Sequence, residues 1–263
     1  MNNASCGSIA ISLSDLIDLS TEIVSAANSD GLLLRLFGSV AVALRCRESV
    51  EVASSPSRKW KDMDFVCATH DSRRVHALLS CRGFISDPSI EIATDGRRAF
   101  FTNGRLSIDL VLDDLNYCHR LRLRGRLQID KCTLPLADLL LSKLQRVALR
   151  QTDWSDVLAL LGTFDVGRKD GEQINVERVC GALKSDWGFC HTVCTNLALC
   201  AERLPELFDG RQPPNMLDHA LHSAELLLAE VKATPKTLRW KLRSIIGPRI
   251  RWYQTVETVE TIF

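Results

Sequence analysis

The sequence predicts an α+β chain, with strands and helices mixed as far as residue 134 and helices alone from 135 to 263. Three observations predict it. Apolar runs of strand length recur in the first half, at 32–37, 62–68, 97–102 and 105–112. Between them, 13–28 and 71–82 carry apolar residues at helical spacing. From 136 onward the helical period continues through 136–150, 153–162, 175–203, 215–232, 236–245 and 250–261. The expected organisation is an α/β domain over 1–134 and a helical domain over 135–263, with a cleft between them.

Each element has a local reason. Ser12 or Ser14 can cap the first helix, and Asn28-Ser29-Asp30-Gly31 closes it. Residues 32–37 read as a buried strand, and Gly38-Ser39 turns into a short helix over 40–45. Residues 47–60 are polar around Ser54-Ser55-Pro56-Ser57, which marks a loop or insertion. Further extended segments fall across 119–133. Helix breaks are expected at Gly162–Gly171, Gly210–Pro214, Thr234-Pro235 and Gly247-Pro248. The chain shows no internal repeat and no low-complexity tract.

Composition narrows the class. The 263 residues can bury a sizeable core, and 46% hydrophobic with 25% charged residues is ordinary for a globular protein. A net charge of +1 gives no global pull toward nucleic acid or membrane, so any such pull must come from local patches. No apolar stretch reaches the roughly 18 residues of a membrane helix. Met1-Asn2-Asn3-Ala4-Ser5-Cys6 lacks the basic-then-apolar order of a signal peptide, so a cytoplasmic protein is expected. The ten cysteines include no C-x-x-C pair and sit mostly in apolar runs, which suits reduced buried thiols. Cys190 and Cys194 would share a helical face without forming a closed four-ligand zinc set. His219 and His222 mark one helical face without a metal.

The densest chemistry is Lys61-Asp62-Met63-Asp64-Phe65-Val66. On a strand, Asp62 and Asp64 project from the same face, which is costly unless a cation lies between them. A divalent metal is the usual resolution, because Mg²⁺ takes carboxylate oxygens together with substrate phosphates. Asp109, within Ser107-Ile108-Asp109-Leu110-Val111, supplies a third acid on another strand, and Asp113 lies in phase with it as an alternative. Gly38-Ser39 at a helix start offers free N–H groups to phosphate oxygens. Two metals about 3.5–4 Å apart need such bridging carboxylates for in-line transfer at phosphorus.

Gly38-Ser39, then Asp62-x-Asp64, then Asp109 on a later strand resembles the polymerase-β-type nucleotidyltransferase superfamily. The resemblance extends to Leu139-Leu140-Leu141-Ser142-Lys143-Leu144 and Arg150-Gln151-Thr152-Asp153-Trp154-Ser155-Asp156. These look like the L-x-x-x-K-L and [R/K]-D-x-x-D motifs of AbiEii-type nucleotidyltransferases, a group that includes toxins of type IV toxin–antitoxin systems. It covers about residues 31–162. The resemblance implies a nucleotidyltransferase-type mixed sheet with flanking helices. It implies Asp62, Asp64 and Asp109 as catalytic metal ligands for Mg²⁺ or Mn²⁺. Gly38, Ser39 and Lys143 would contact a nucleoside triphosphate such as ATP, and Asp153 with Asp156 would complete the last motif. Two departures stand out. The spacing from Gly38-Ser39 to Asp62 is about twice the usual one, and Thr152 stands where a basic residue normally precedes the Asp.

Plainer readings of the same residues stay open. Asp62 could cap a turn and Asp64 could be a solvated strand residue. Lys143 among leucines could snorkel, Thr152-Asp153 is also a good helix start, and Asp156 could partner a basic group.

Two basic stretches bear on the acceptor. Arg120, Arg122, Arg124 and Arg126 would share one strand face, with Leu121, Leu123 and Leu127 on the other. They suit either a charged edge that blocks strand pairing or a phosphate-tracking surface. The 232–251 segment holds Lys232, Lys236, Arg239, Lys241, Arg243, Arg249 and Arg251 with Trp240, and Trp252 and Tyr253 follow. It suits either helix packing with solvated basic residues or binding of unpaired nucleic acid. The expected function is metal-dependent transfer of a nucleoside monophosphate to an acceptor hydroxyl, on a tRNA 3′ end or on a small hydroxylated molecule, releasing pyrophosphate. The alternative is a non-catalytic nucleotide-binding or toxin–antitoxin interaction module with an antitoxin partner.

Overall fold

In the computed structural model, residues 11–47, 58, 60–207 and 213–255 are described. The chain is mixed α+β, with helices dominating its C-terminal part. Helix α1 (Leu13–Ser29) begins in a capping box. Ser12 Oγ accepts from Asp15 N at 3.1 Å, and Asp15 Oδ2 accepts from Ser12 N at 3.3 Å. Strand β1 (Leu34–Phe37) runs straight into helix α2 (Gly38–Arg45). Strand β2 (Asp62–Cys67) and helix α3 (Ser72–Ser80) follow. Strand β3 (Ile85–Asp87) leads through a one-and-a-half-turn helix α4 (Pro88–Ala93) to β4 (Arg98–Thr102) and β5 (Ser107–Leu112).

These five strands form one sheet in the order β1-β2-β5-β4-β3. Only β2 and β5 pair in parallel, and the other neighbours are antiparallel. Alternation sorts the side chains cleanly. Leu34, Leu36, Met63, Phe65, Ile108, Leu110 and Phe101 occupy one face, and all are buried. The opposite face carries Asp62, Asp64, Ser107, Asp109 and Arg98 by the same register.

Beyond the sheet, β6 (Asp114–Asn116) and β7 (Arg120–Arg122) make a short hairpin. The expected extended stretch ends there, because residues 124–129 form turns and Gly125 sits at φ 73°. A single parallel bridge joins Leu36 to Thr133 and brings the chain alongside β1. Helices α5 (Leu136–Leu144) and α6 (Gln151–Thr163) come next. A two-stranded pair, β8 (Val166–Gly167) and β9 (Ile174–Asn175), precedes α7 (Val176–Leu183). The fold closes with α8 (Trp187–Leu207), α9 (Pro214–Ala233) and α10 (Leu238–Ile246). One hydrophobic core extends from Leu16 on α1 to Val231 on α9.

Four C-terminal expectations change. The part expected to be helices alone also holds the parallel β8–β9 pair, Val166 beside Ile174 and Gly167 beside Asn175. The single helix over 175–203 is two helices, broken at 184–186, where Asp186 Oδ1 accepts from Phe189 N at 3.0 Å as α8 starts. The helix over 136–150 ends at Leu144, and 146–150 links it to α6. No helix forms over 250–255; residues 256–261 lie outside the described residues. Gly247-Pro248 stops α10, and Arg243 turns back to donate to Gly247 O at 2.6 Å and Ile250 O at 3.0 Å. Of the polar stretch 47–60, only Arg47, Arg58 and Trp60 are described. No helix among the described residues is long and apolar enough to cross a membrane. The nine described cysteines are free thiols, and six of them are buried.

Candidate active site

The site is built where the polar face of the sheet meets the first turn of α2 and two helices from the second half. Asp64 stands beside Asp109 across the parallel β2–β5 pair and beside Phe37 across β1. Phe37 is the last residue of β1, so the turn into α2 falls directly against Asp64. Gly38 makes that turn at φ 70°, a conformation L-residues rarely adopt. A Cβ there would overlap Asp64 Oδ2 and lie 2.7 Å from its Cγ. Only glycine lets the backbone of this turn approach the acid so closely.

Asp62 is exposed at the start of β2 and accepts a hydrogen bond from Ser107 Oγ. Asp64 is half-buried, and Asp109 is 9% exposed. Burial drives the Asp64 carboxyl up to about 7, and the charges of Asp109 and Asp62 push the same way against Lys143 and Arg146. Burial also raises Asp109, although Arg98 opposes the shift. Arg98, on β4, grips Asp109 at both oxygens, at 2.6 and 2.7 Å. Tyr117, half-buried nearby, has its phenol pushed up by burial and then by Asp109 and Asp64. Arg146 lies over the Tyr117 ring at 5.4 Å.

The helical half contributes the other wall. Ser39 Oγ donates to Asp156 Oδ2 at 2.6 Å, and Lys143 Nζ donates to Ser39 Oγ at 3.1 Å. Lys143 Nζ also lies 2.8 Å from Asp156 Oδ2 and 3.6 Å from Asp153 Oδ1. Arg58 clamps Asp156 Oδ1 with two nitrogens at 3.0 Å and lies over the Trp60 ring at 4.0 Å. Burial works against the Asp156 charge, but Lys143 and Arg58 outweigh it and hold the carboxyl below its ordinary value. Asp153 Oδ2 accepts from Arg150 N at 3.1 Å, so it also caps the first turn of α6.

The sequence-selected residues therefore fall into two neighbouring groups. Asp62, Asp64 and Asp109 share the sheet face. Ser39, Lys143, Asp153 and Asp156 form a buried polar network, and Gly38 joins the two. Lys143 is 6% exposed and ion-paired, so the snorkelling reading does not describe it. Asp113 goes elsewhere: it follows β5 at φ 60° and accepts from Thr69 N at 3.0 Å. Arg126 leaves the arginine stripe to bridge Asp138 and Asp170, each at 2.7 Å. Three contributors escaped the sequence reading: Arg58, Arg98 and Arg146. Arg58 and Arg98 lie in the basic clusters Arg58-Lys59-Trp60-Lys61 and Arg97-Arg98, the signal that could have flagged them.

Asp62 and Asp64 offer only oxygen donors, which suits Mg²⁺ or Mn²⁺. Burial, and then the charges of Asp109 and Asp62, raise the Asp64 carboxyl, a cost to its charged form that a cation would relieve. Both oxygens of Asp109 are held by Arg98, so the fit is to two of the three acids. Among the described residues, no three His, Cys, Asp or Glu side chains are grouped closely enough to hold a metal ion. In comparisons with known proteins, the chain matches no family model and no curated relative.

The Asp64 carboxyl sets a pH dependence. Its pKa is about 7 in the folded chain against an ordinary 3.8. Between those values the folded state keeps a proton that the unfolded state has released, so this group makes stability fall as pH rises toward 7. Without divalent cations, Asp64→Asn is expected to melt above the wild type at about pH 8, with the gap narrowing toward about pH 5. Thermal unfolding at the two pH values checks this, and a gap of constant size would contradict the shift.

Proposed function

We propose that this chain is a metal-dependent nucleotidyltransferase, moving a nucleoside monophosphate from a nucleoside triphosphate to an acceptor hydroxyl and releasing pyrophosphate. One observation carries the reading: Asp62 and Asp64 project from one face of β2, with Asp109 in register beside Asp64, against a glycine turn that tolerates no side chain. In this reading Asp62 and Asp64 hold Mg²⁺ or Mn²⁺, which when bound neutralises phosphate charge and makes the acceptor hydroxyl easier to deprotonate. The N–H groups that open α2 at Gly38 and Ser39 face the triphosphate oxygens. Lys143, Asp156 and Arg58 fix the Ser39 hydroxyl and hence the turn. Arg98 and Arg146 bring positive charge to the acid face, where a triphosphate would need it.

The test is incubation with labelled triphosphates, Mg²⁺ and total tRNA. Label transfer abolished by Asp64→Ala is the expected result. If neither pyrophosphate release nor metal-dependent triphosphate binding appears, the proposal fails. A second reading, a nucleotide-binding or toxin–antitoxin module without catalysis, draws on the bidentate Arg98–Asp109 pair, which occupies the third acid. Metal-dependent triphosphate binding with no pyrophosphate release would favour it.

A further inference from the structure

The two basic stretches lie far apart in sequence, yet they line one pocket. A cavity of about 700 Å³ is walled by Arg120 and Arg122 of β7, Arg178 of α7, and Arg239 and Arg243 of α10. The N-terminal turn of α8 and Trp252 complete it. Asp62, Asp64 and Asp109 are not among its walls. Its volume falls within the roughly 300–1,000 Å³ of small-molecule sites.

Charge decides what it takes. Arg120 is paired with Asp114 at 2.6 Å, and Arg178 with Asp138 at 2.6 Å. Arg122 and Arg239 have no acidic partner among the described residues. Arg243 spends its donors on backbone carbonyls, so its charge is also uncompensated. The single acid in the wall is Asp186, which caps α8. Three uncompensated guanidiniums facing one carboxylate leave a net positive pocket.

Its shape is held by aromatic packing. Arg243 lies 4.7 Å over the Trp187 ring, and His191 stacks on Trp187 at 4.8 Å. Trp252 meets Trp187 edge-on and anchors its Nε1 to Thr192 Oγ1 at 3.1 Å. A Cβ on Gly188 would lie 2.5 Å from Trp252 O, so the C-terminal segment seats tightly on the start of α8. Planar guanidiniums beside an indole that keeps part of its surface exposed suit a chain of phosphates with bases. A short stretch of chain links the pocket to the acid face. Tyr117, whose phenol senses Asp109 and Asp64, precedes Arg120 by three residues, at most about 11 Å of chain.

We propose that this pocket binds the phosphate backbone of a single-stranded nucleic acid, the strand that presents the acceptor hydroxyl. Its role as acceptor rests on the nucleotidyl-transfer reading; the binding does not. The test uses the full chain and a labelled single-stranded RNA of about twelve nucleotides, followed by fluorescence anisotropy across a salt series. The double variant Arg122→Gln, Arg239→Gln is expected to bind at least tenfold more weakly. Its log–log salt slope should be shallower by about 1.4, the loss of two phosphate contacts to a single strand. Unchanged affinity and slope in a variant with wild-type melting temperature would overturn the proposal. So would displacement of the RNA by a mononucleoside triphosphate as effectively as by unlabelled RNA, since the site would then be one for free nucleotides. If the variant melts early, the single variant Arg239→Gln takes its place, with a salt slope expected to be shallower by about 0.7, and unchanged affinity and slope there would overturn the proposal. Asp64→Ala, which removes nothing from the pocket, is expected to bind RNA as the wild type does, so failure of transfer and failure of the pocket are read separately.

Discussion

Asp156→Ala is expected to cost about 3–5 kcal/mol of stability, measured by denaturant unfolding with an unchanged m-value. The carboxylate is fully buried and holds two cations, Lys143 at 2.8 Å and Arg58 at 3.0 Å, each with a 7% exposed side chain. Removing it takes the closest carboxylate away from two buried cations. Lys143 keeps its hydrogen bond to Ser39 and, of its two acidic partners, Asp153 at the looser distance of 3.6 Å. Ser39 loses the acceptor for its hydroxyl, so triphosphate binding should fall with stability. Adding Lys143→Met to Asp156→Ala should restore part of the loss, because the penalty lies in the orphaned charge more than in the missing attraction. A loss below about 1 kcal/mol for Asp156→Ala would mean the network is hydrated and contributes little.

Gly38→Ala is expected to cost about 1–2 kcal/mol from its left-handed backbone and, separately, at least about 100-fold in the rate of the proposed nucleotidyl transfer. The two effects have different origins. The first comes from φ 70°; the second comes from the overlap of the new methyl with the Asp64 carboxylate, which must swing away. Gly31→Ala separates them. Gly31 has φ 72° but nothing within 4 Å of the added carbon, so it should lose similar stability and keep full activity. Equal activity of the two variants, by labelled-triphosphate transfer, would show that the close approach at Gly38 has no bearing on the chemistry.

The sheet was legible because its alternation is strong. Met63, Phe65, Ile108 and Leu110 demand one face, and that alone sends Asp62, Asp64 and Asp109 to the other. The contact between Ser39 and Lys143 was legible only through the order of the motifs, since 104 residues separate them and no local pattern joins them. Arg98 was hidden by context. It sits in a short run whose register against β5 no local signal sets, and its pairing with Asp109 depends on that register. The break between α7 and α8 was missed for a related reason: it uses an aspartate cap, with neither glycine nor proline to announce it. The helix expected over 250–261 shows the converse in its described part, 250–255, because the apolar spacing there serves a strap that seats Trp252 against α8.

The long gap between Gly38-Ser39 and Asp62-x-Asp64 takes on another meaning once Arg58 is placed. That guanidinium, four residues ahead of Asp62, is moored to α6 through Asp156, and Arg45, at the other end of the gap, is moored to Asp130. Both shores of the insertion are therefore fixed to the body of the protein, and the motif halves meet through the β1–β2 pairing. Lengthening a tether whose ends are already pinned costs only the slow logarithm of its length. Contour length along the chain is thus a poor ruler for this motif; the moorings on either side of the gap set where its two halves lie.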